Sequence, residues 1–288
     1  MAYAWHVRAV VALALLSAPS ACSLFVSTDG LTGTVAAEGG TDAATEQPAA
    51  EAAVDAGVEA EASFDAAGPF CAQSMNAAFC ADFDGAALDT GWMGREVSPG
   101  SAISRDGTAI SSPYAFLATT PIATGGDANA RLWWKTDLPA AVHFETDAQF
   151  TVPATGYYEV IKIEFPTSFE NDNPTALSGA IEIGTNNGAG LSARVEGWDT
   201  GGARYNAMYD GAVIPGLGKW VHVTVDATLG AIGALQILVD GKVSVDVKSV
   251  RTLPATATGM RLVIGTYAYN TPTATTTRFD NVLVDVTK

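Results

Sequence analysis

Hydrophobic residues recur at every second position in run after run of this chain. Between Gly218 and Val247, Val221, Val223 and Val225 alternate with His222, Thr224 and Asp226. Leu235, Ile237 and Val239 then alternate with Gln236, Leu238 and Asp240, and Val243, Val245 and Val247 with Ser244, Asp246 and Lys248. A period of two buries one face of a sheet and wets the other. The pattern predicts three successive strands, the last two joined by Asp240-Gly241, a pair that accepts the positive φ angles of a type I′ turn. Similar runs predict strands at Phe79–Phe83, Ser101–Ser104, Tyr114–Thr119, Ala130–Lys135, Val142–Phe150, Tyr157–Phe165 and Ala180–Gly184. Others follow at Gly190–Glu196, Ala203–Tyr209, Trp220–Asp226, Leu235–Asp240, Lys242–Val247, Arg261–Thr266 and Arg278–Val286. Asp106-Gly107, Asn187-Gly188 and Asp210-Gly211 also fall between such runs, so antiparallel hairpins should recur. No stretch shows a sustained helical period with caps. Many short strands with polar turns predict an all-β domain, a sandwich of two antiparallel sheets.

The pattern stops short of the N-terminus. Met1 to Ala21 has a weak basic start at His6 and Arg8, an apolar core from Ala9 to Leu16, and small residues up to Cys22. That core is too short to span a bilayer and fits a secretory signal. Ser23 to Gly68 holds nine acids and no Lys or Arg, with no aromatic residue from Leu31 to Ser63. So little to bury predicts an acidic, disordered tether over 22–68. The folded domain is then 69–288.

Charge and cysteines narrow the function classes. The formal charge is −16, and Pro69 to Lys288 alone carries 22 acids against 14 bases. That balance argues against nucleic acid as a partner, because such binding needs basic surface. There are three cysteines. Cys22 follows the signal, while Cys71 and Cys80 stand close together at the start of the domain. One modified cysteine plus one disulfide is expected, which requires an oxidising compartment; the alternative is two buried free thiols.

Several stretches resemble known families. Pro19-Ser20-Ala21-Cys22 resembles a bacterial lipobox, departing from it at Pro19, where an aliphatic residue is usual. The resemblance implies lipidation at Cys22, and Ser23 after it implies the outer membrane; ordinary cleavage and secretion is the alternative. Within the domain, Phe79-Cys-Ala-Asp-Phe-Asp-Gly85, Trp220-Val-His-Val-Thr-Val225 with Val239-Asp-Gly-Lys242, and Arg278-Phe-Asp-Asn-Val-Leu-Val284 resemble, in that order, the concanavalin A-like lectin/glucanase superfamily. Laminin-G-like domains are the nearest branch. The resemblance implies a jelly roll whose closing strand lies beside the first. It also implies a structural calcium, with Asp280 as one ligand; the alternative is an Asp satisfied by neighbouring backbone N–H groups.

The chemistry-bearing residues are sparse. Glycosidases of this superfamily carry Glu-x-Asp-x-Glu or Glu-x-Asp-x-x-Glu on one strand, which places carboxylates on one face. Here Glu159 and Glu164 are five apart, so a regular strand would turn them to opposite faces, leaving Lys162 to share a face with Glu164. Glu145-Thr-Asp147 and Glu182 have no second carboxylate at the right step. The paired-carboxylate motif is absent, which argues against a glucanase. His143 and His222 have no nucleophile elbow nearby, and His222 falls on the wet side of its strand. Trp92 and Trp220 are assigned to the core; of adjacent Trp133 and Trp134, one faces in and one out.

The remaining aromatics suggest a ligand. Sugars stack on Trp and Tyr faces while amides and carboxylates take the hydroxyls. Trp198 and Asp199 lie in a Gly-rich turn, Tyr205 and Tyr209 on the next hairpin, and Tyr267, Tyr269 and Asn270 before the last strand. The expected function is non-catalytic binding of carbohydrate or an extracellular protein at the cell envelope. The alternatives are a divergent polysaccharide-degrading glycosidase or lyase, and a structural or adhesive envelope protein.

Overall fold

The computed structural model describes residues 70–288 apart from 75, 152–154 and 171–172. The expected signal peptide, Cys22 and the tether lie outside the described residues. A single turn of helix, α1 (Phe70–Gln73), leads into β1 (Phe79–Ala81), β2 (Gly94–Val97), β3 (Ala102–Asp106), β4 (Ala115–Thr120) and β5 (Asp127–Asp137). Next come β6 (Ala141–Phe150), β7 (Tyr157–Glu170), β8 (Asn173–Asn186), β9 (Gly190–Trp198) and β10 (Arg204–Gly211). The chain ends with β11 (Trp220–Thr228), β12 (Gly233–Val239), β13 (Lys242–Val250), β14 (Gly259–Tyr269) and β15 (Thr275–Thr287).

These strands make two antiparallel sheets. One runs β13-β12-β11-β6-β15-β4-β3, with β1 also on β15; the other runs β10-β9-β8-β7-β14-β5-β2. Their inner faces share a single large core that includes Phe116, Phe144, Phe150, Ile163, Leu132 and Phe279. The expected sandwich is therefore present. The closing strand lies beside the first as the resemblance implied, with Phe79 opposite Val284. Cys71 and Cys80 form the expected disulfide, tying α1 to β1.

Local chemistry explains most of the turns. Asp240-Gly241 and Asn187-Gly188 both have positive φ, 49° and 71° in the first and 52° and 72° in the second, as a type I′ hairpin needs. Asp210-Gly211 is no turn: it ends β10, where the register with β9 slips between Tyr209 and Gly211. Asp106 closes β3, its side chain accepting from the Thr108 N–H and from Arg278. β2 escaped the period-two pattern because it is a four-residue edge strand with Arg95 and Glu96 at its centre.

The tryptophans depart from expectation. Trp92 is buried, but Trp220 is only half-buried. Trp220 opens β11 on the same side as His222 and Thr224, the outer face, whereas Val221 and Val223 point into the core. Trp133 and Trp134 do point to opposite faces, yet both are buried. Trp134 stacks 5.2 Å from Phe79 in the core. Trp133 is covered on the outer face, where the Arg261 guanidinium lies 5.4 Å from its ring and Gly94 leaves no room for a Cβ beside it.

Candidate functional site

The outer face of the seven-stranded sheet carries a row of charged and tyrosyl side chains, and one irregularity in β7 assembles it. Glu159 pairs with Gly184 of β8 while Ile161 pairs with Ile183, so two residues of β7 span one step of β8. This is a β-bulge, with Val160 the additional residue. Val160 and Ile161 consequently both enter the core. Tyr157, Glu159, Lys162 and Glu164 all come out on the outer face. The expectation that Glu159 and Glu164 face opposite sides is thereby corrected. A five-residue spacing with one bulge equals a spacing of four in a regular strand, so the two carboxylates flank Lys162 on one side of the sheet. Gly184 lets β8 approach the bulge, since a Cβ there would sit 2.0 Å from the Tyr158 carbonyl oxygen. On the other flank, Gly265 of β14 has φ 137° and would bring a Cβ within 2.2 Å of the Ala130 carbonyl.

A cleft of about 440 Å³ opens over these residues. Its floor is an ion-pair network. Lys162 Nζ lies 3.1 Å from Glu182, 3.4 Å from Glu164 and 3.9 Å from Glu159. Arg131 reaches Glu159 at 3.2 Å and Glu96 at 2.7 Å. Arg261 holds Glu164 at 2.5 Å and Glu96 at 2.8 Å. Toward β10, Arg194 contacts Glu182 at 3.4 Å and Glu196 at 2.8 Å, and Arg204 contacts the same Glu196 oxygen at 2.7 Å. Tyr157 donates its hydroxyl to Glu182 at 2.8 Å.

Burial decides the protonation of this floor. It raises Glu159 to about 7; Lys162 and Arg131 pull it down, while Glu182 and Glu164 push it further up. Burial also works to raise Glu96, but Arg131 and Arg261 outweigh it and the group ends below its ordinary value. Lys162 goes up despite burial, held charged by Glu159, Glu164 and Glu182. Tyr157 is raised by burial and by Glu159 and Glu182, so it stays protonated. The cleft thus offers a carboxyl that titrates near neutrality, a fixed ammonium and a phenol that only donates. Those are the parts that general acid–base chemistry requires.

The residues expected to bind a ligand are only partly brought together. Tyr267 and Tyr269 line the cleft, and Arg131 lies 5.4 Å from the Tyr267 ring. Trp198 is exposed at the end of β9, on the same face as Arg194 and Glu196. Tyr205 and Tyr209 point the other way and pack against the core. Asp199 is used locally, accepting from the Gly201 and Ala203 N–H groups to close its turn. Asn270 accepts from Gly125 at the far loop. Asp280 is buried on the opposite sheet. Its Oδ2 accepts from the Ile110 N–H, the Ser111 N–H and the Ser111 hydroxyl, and its Oδ1 from the Asn281 N–H. Burial raises Asp280 to about 7 against these donors. Among the described residues no group of three or more His, Cys, Asp or Glu is arranged to hold a metal.

The sequence singles out Glu159, Lys162 and Glu182 but does not bring them together, and it gives no pointer to Arg131, Arg194 and Glu196. The signal was present but dispersed. Each is a lone charge between uncharged neighbours in a strand, as in Ile181-Glu-Ile183 and Ala193-Arg-Val-Glu196. Five neighbouring strands, β9-β8-β7-β14-β5, with charged residues on one face imply an electrostatic network there.

No protein-family model and no curated protein sequence matches the chain. Solved structures match by fold. An endo-β-1,4-glucuronan lyase from the fungus Trichoderma reesei superposes with a TM-score of 0.60 at 15% identity, over 73% of this chain and 96% of that one. A structure described with endo-acting O-glycanases of the human gut microbiota gives 0.51 at 14%, over 74% and 100%. A family 16 endo-glucanase from Bacteroides ovatus gives 0.50 at 12%, over 72% and 99%. The described domain therefore shares with these structures the fold, a jelly-roll sandwich of two antiparallel sheets.

Proposed function

We propose that the domain is a polysaccharide-degrading enzyme whose chain-like substrate lies across the outer face of the seven-stranded sheet. The observation that carries this reading is the bulge of β7, which brings Glu159, Lys162 and Tyr157 to one cleft with Glu182 beside them. Glu159, raised toward neutrality, serves as the acid–base group. The exposed ring of Tyr269 at the cleft and Trp198 further along β9 offer stacking platforms for sugar rings. The fold is shared with a glucuronan lyase and an endo-glucanase. The test is end-group release from a panel of polysaccharides, with reducing-sugar and unsaturated-end assays run in parallel to separate hydrolysis from elimination. Glu159→Gln should lower turnover by about 10²–10⁴-fold. Unchanged turnover in this variant would remove Glu159 from the chemistry.

A non-catalytic binding module is the second reading. It is favoured by the pairing of every carboxylate on the cleft floor with a cation, which suits a fixed recognition surface. Retention on a polysaccharide without release of new ends would select it. Under either reading we propose that the domain works outside the cell, tethered by a lipid at Cys22. An absence of labelled palmitate from the mature protein would refute the anchor.

A further inference from the structure

The ion pairs of the cleft are layered by charge. Side-chain exposure among the lining cations is 55% for Arg204, 27% for Arg194, 14% for Lys162 and 11% for Arg131. Among the lining carboxylates it is 19% for Glu196, 6% for Glu182 and 3% for Glu159. Within the pairs between these lining groups, Arg204–Glu196, Arg194–Glu196, Arg194–Glu182, Lys162–Glu182 and Arg131–Glu159, the cation is the more exposed partner; Glu96, which does not line the cleft, is more exposed than the Arg131 and Arg261 it holds. A ligand entering the cleft therefore meets guanidinium and ammonium groups, with the carboxylates beneath them as anchors. Four cations and three carboxylates line the cleft; with Glu96, Glu164 and Arg261 the whole network balances at five of each, so the positive excess is in the lining layer that a ligand meets.

Donor capacity points the same way. Arg204 gives one Nη to Glu196, and its Nε and other Nη have no partner among the described residues. The Nε of Arg131 has no acceptor among the described residues either, but it is buried, so the donors open to the cleft are those of Arg204. A guanidinium held from behind by a carboxylate and open in front is preorganised to take an anion, often in a bidentate manner.

We propose that the polysaccharide of this cleft is anionic, bearing carboxylate or sulfate groups that Arg204 and Arg194 engage at the rim and Lys162 and Arg131 face from the floor. The inference rests on the reading of the cleft as a polysaccharide site. Anions on the sugar would be drawn to the local cations in spite of the acidic surface elsewhere, so binding should weaken with salt.

Affinity electrophoresis of the full chain tests this, with polygalacturonate and alginate as carboxylate probes, dextran sulfate as the sulfate probe, and dextran and xyloglucan as neutral probes. The expected result is retardation by one acidic class well beyond that by the neutral chains, diminishing as salt is raised. Which acidic class retards the protein identifies the anion. Arg204→Gln, at an exposed side chain that holds only Glu196, should leave the fold intact and weaken acidic-chain binding by roughly tenfold or more, the loss of one charged hydrogen bond. Neutral chains bound as tightly as acidic ones, or full binding retained by Arg204→Gln, would overturn the anionic preference and leave the polysaccharide reading standing. No retardation by any chain would overturn both.

Discussion

Lys162 stands among three carboxylates, so replacing it with methionine probes the cleft floor directly. Glu159, Glu164 and Glu182 lie within 3.9 Å of its Nζ and are all buried. Methionine keeps much of the apolar stem, so the change removes charge more than packing. Removing one partner of a buried ion pair costs about 3–5 kcal/mol. Here each carboxylate keeps another cation: Arg131 for Glu159, Arg261 for Glu164, Arg194 for Glu182. The lower end, about 3 kcal/mol, therefore applies. In a domain of this size each kcal/mol moves Tm by about 2–4 °C, so Lys162→Met should melt roughly 6–12 °C below the wild type at pH 8. The deficit should shrink at pH 5. Glu159 has a folded pKa near 7, above its ordinary 4.5, so folding favours its protonated form and its ionisation lowers stability as pH rises through that window. Below it, the neutral carboxyl no longer calls for a counter-charge. Circular-dichroism melts and urea titrations at both pH values measure this. A variant melting within about 2 °C of wild type at pH 8 would show that water already screens the cluster. A larger deficit at pH 5 than at pH 8 would refute the role given to Glu159.

Other parts of the structure make separate predictions. On the outer face of the other sheet, His222 is raised above its ordinary value by its hydrogen bond to Asp147. Burial would lower His143, but Asp226 and Glu145 outweigh it and its pKa also rises. Raised imidazoles stabilise fully below about 6.5, the unfolded value, and the contribution is lost as pH rises through the folded value. The urea midpoint of a His143→Gln, His222→Gln double variant should therefore fall less than wild type over that rise; parallel curves would refute the pairing. Gly184→Ala should destabilise by about 1–3 kcal/mol, because a Cβ collides with the backbone of the bulge; a neutral effect in urea titration would show that β8 can move away. Cys71→Ser with Cys80→Ser should lower stability by about 2.7 kcal/mol, the chain-entropy value for so short a loop, read against the wild type under non-reducing conditions. Melts of the protein in calcium and in chelator should coincide, since N–H and O–H donors already engage both Asp280 oxygens; a higher Tm in calcium would place a cation there.

The architecture was legible because its signals are local. Alternating valines in β11 and Leu235, Ile237 and Val239 in β12, positive-φ turn residues at Asp240-Gly241 and Asn187-Gly188, and aromatic residues near Phe79 each act within a few positions. The site was less legible because it is assembled across strands. Arg131, Lys162, Glu182 and Arg194 come from four strands, and each pairs with a partner on another. Tyr205 and Tyr209 show the limit of counting aromatics: alternation turns them inward, while Arg204 and Asn206 between and beside them face out. Trp220 erred in the same way, its size suggesting the core while its place in the period of β11 put it outside.

Val160 has a consequence for how such a surface changes over generations. Without it, Tyr157, Glu159, Lys162 and Glu164 would fall into strict alternation, still on the outer face. Loss of one codon at this point would straighten the strand and shorten the gap between Glu159 and Lys162 while reversing no side chain. Loss of the codon for Ile163 would instead turn Glu164 toward the core if Glu159 and Lys162 kept their places. Length change is thus absorbed at Val160 and costly three residues later. Comparisons that insist on fixed carboxylate spacing will pass over chains related by that one step.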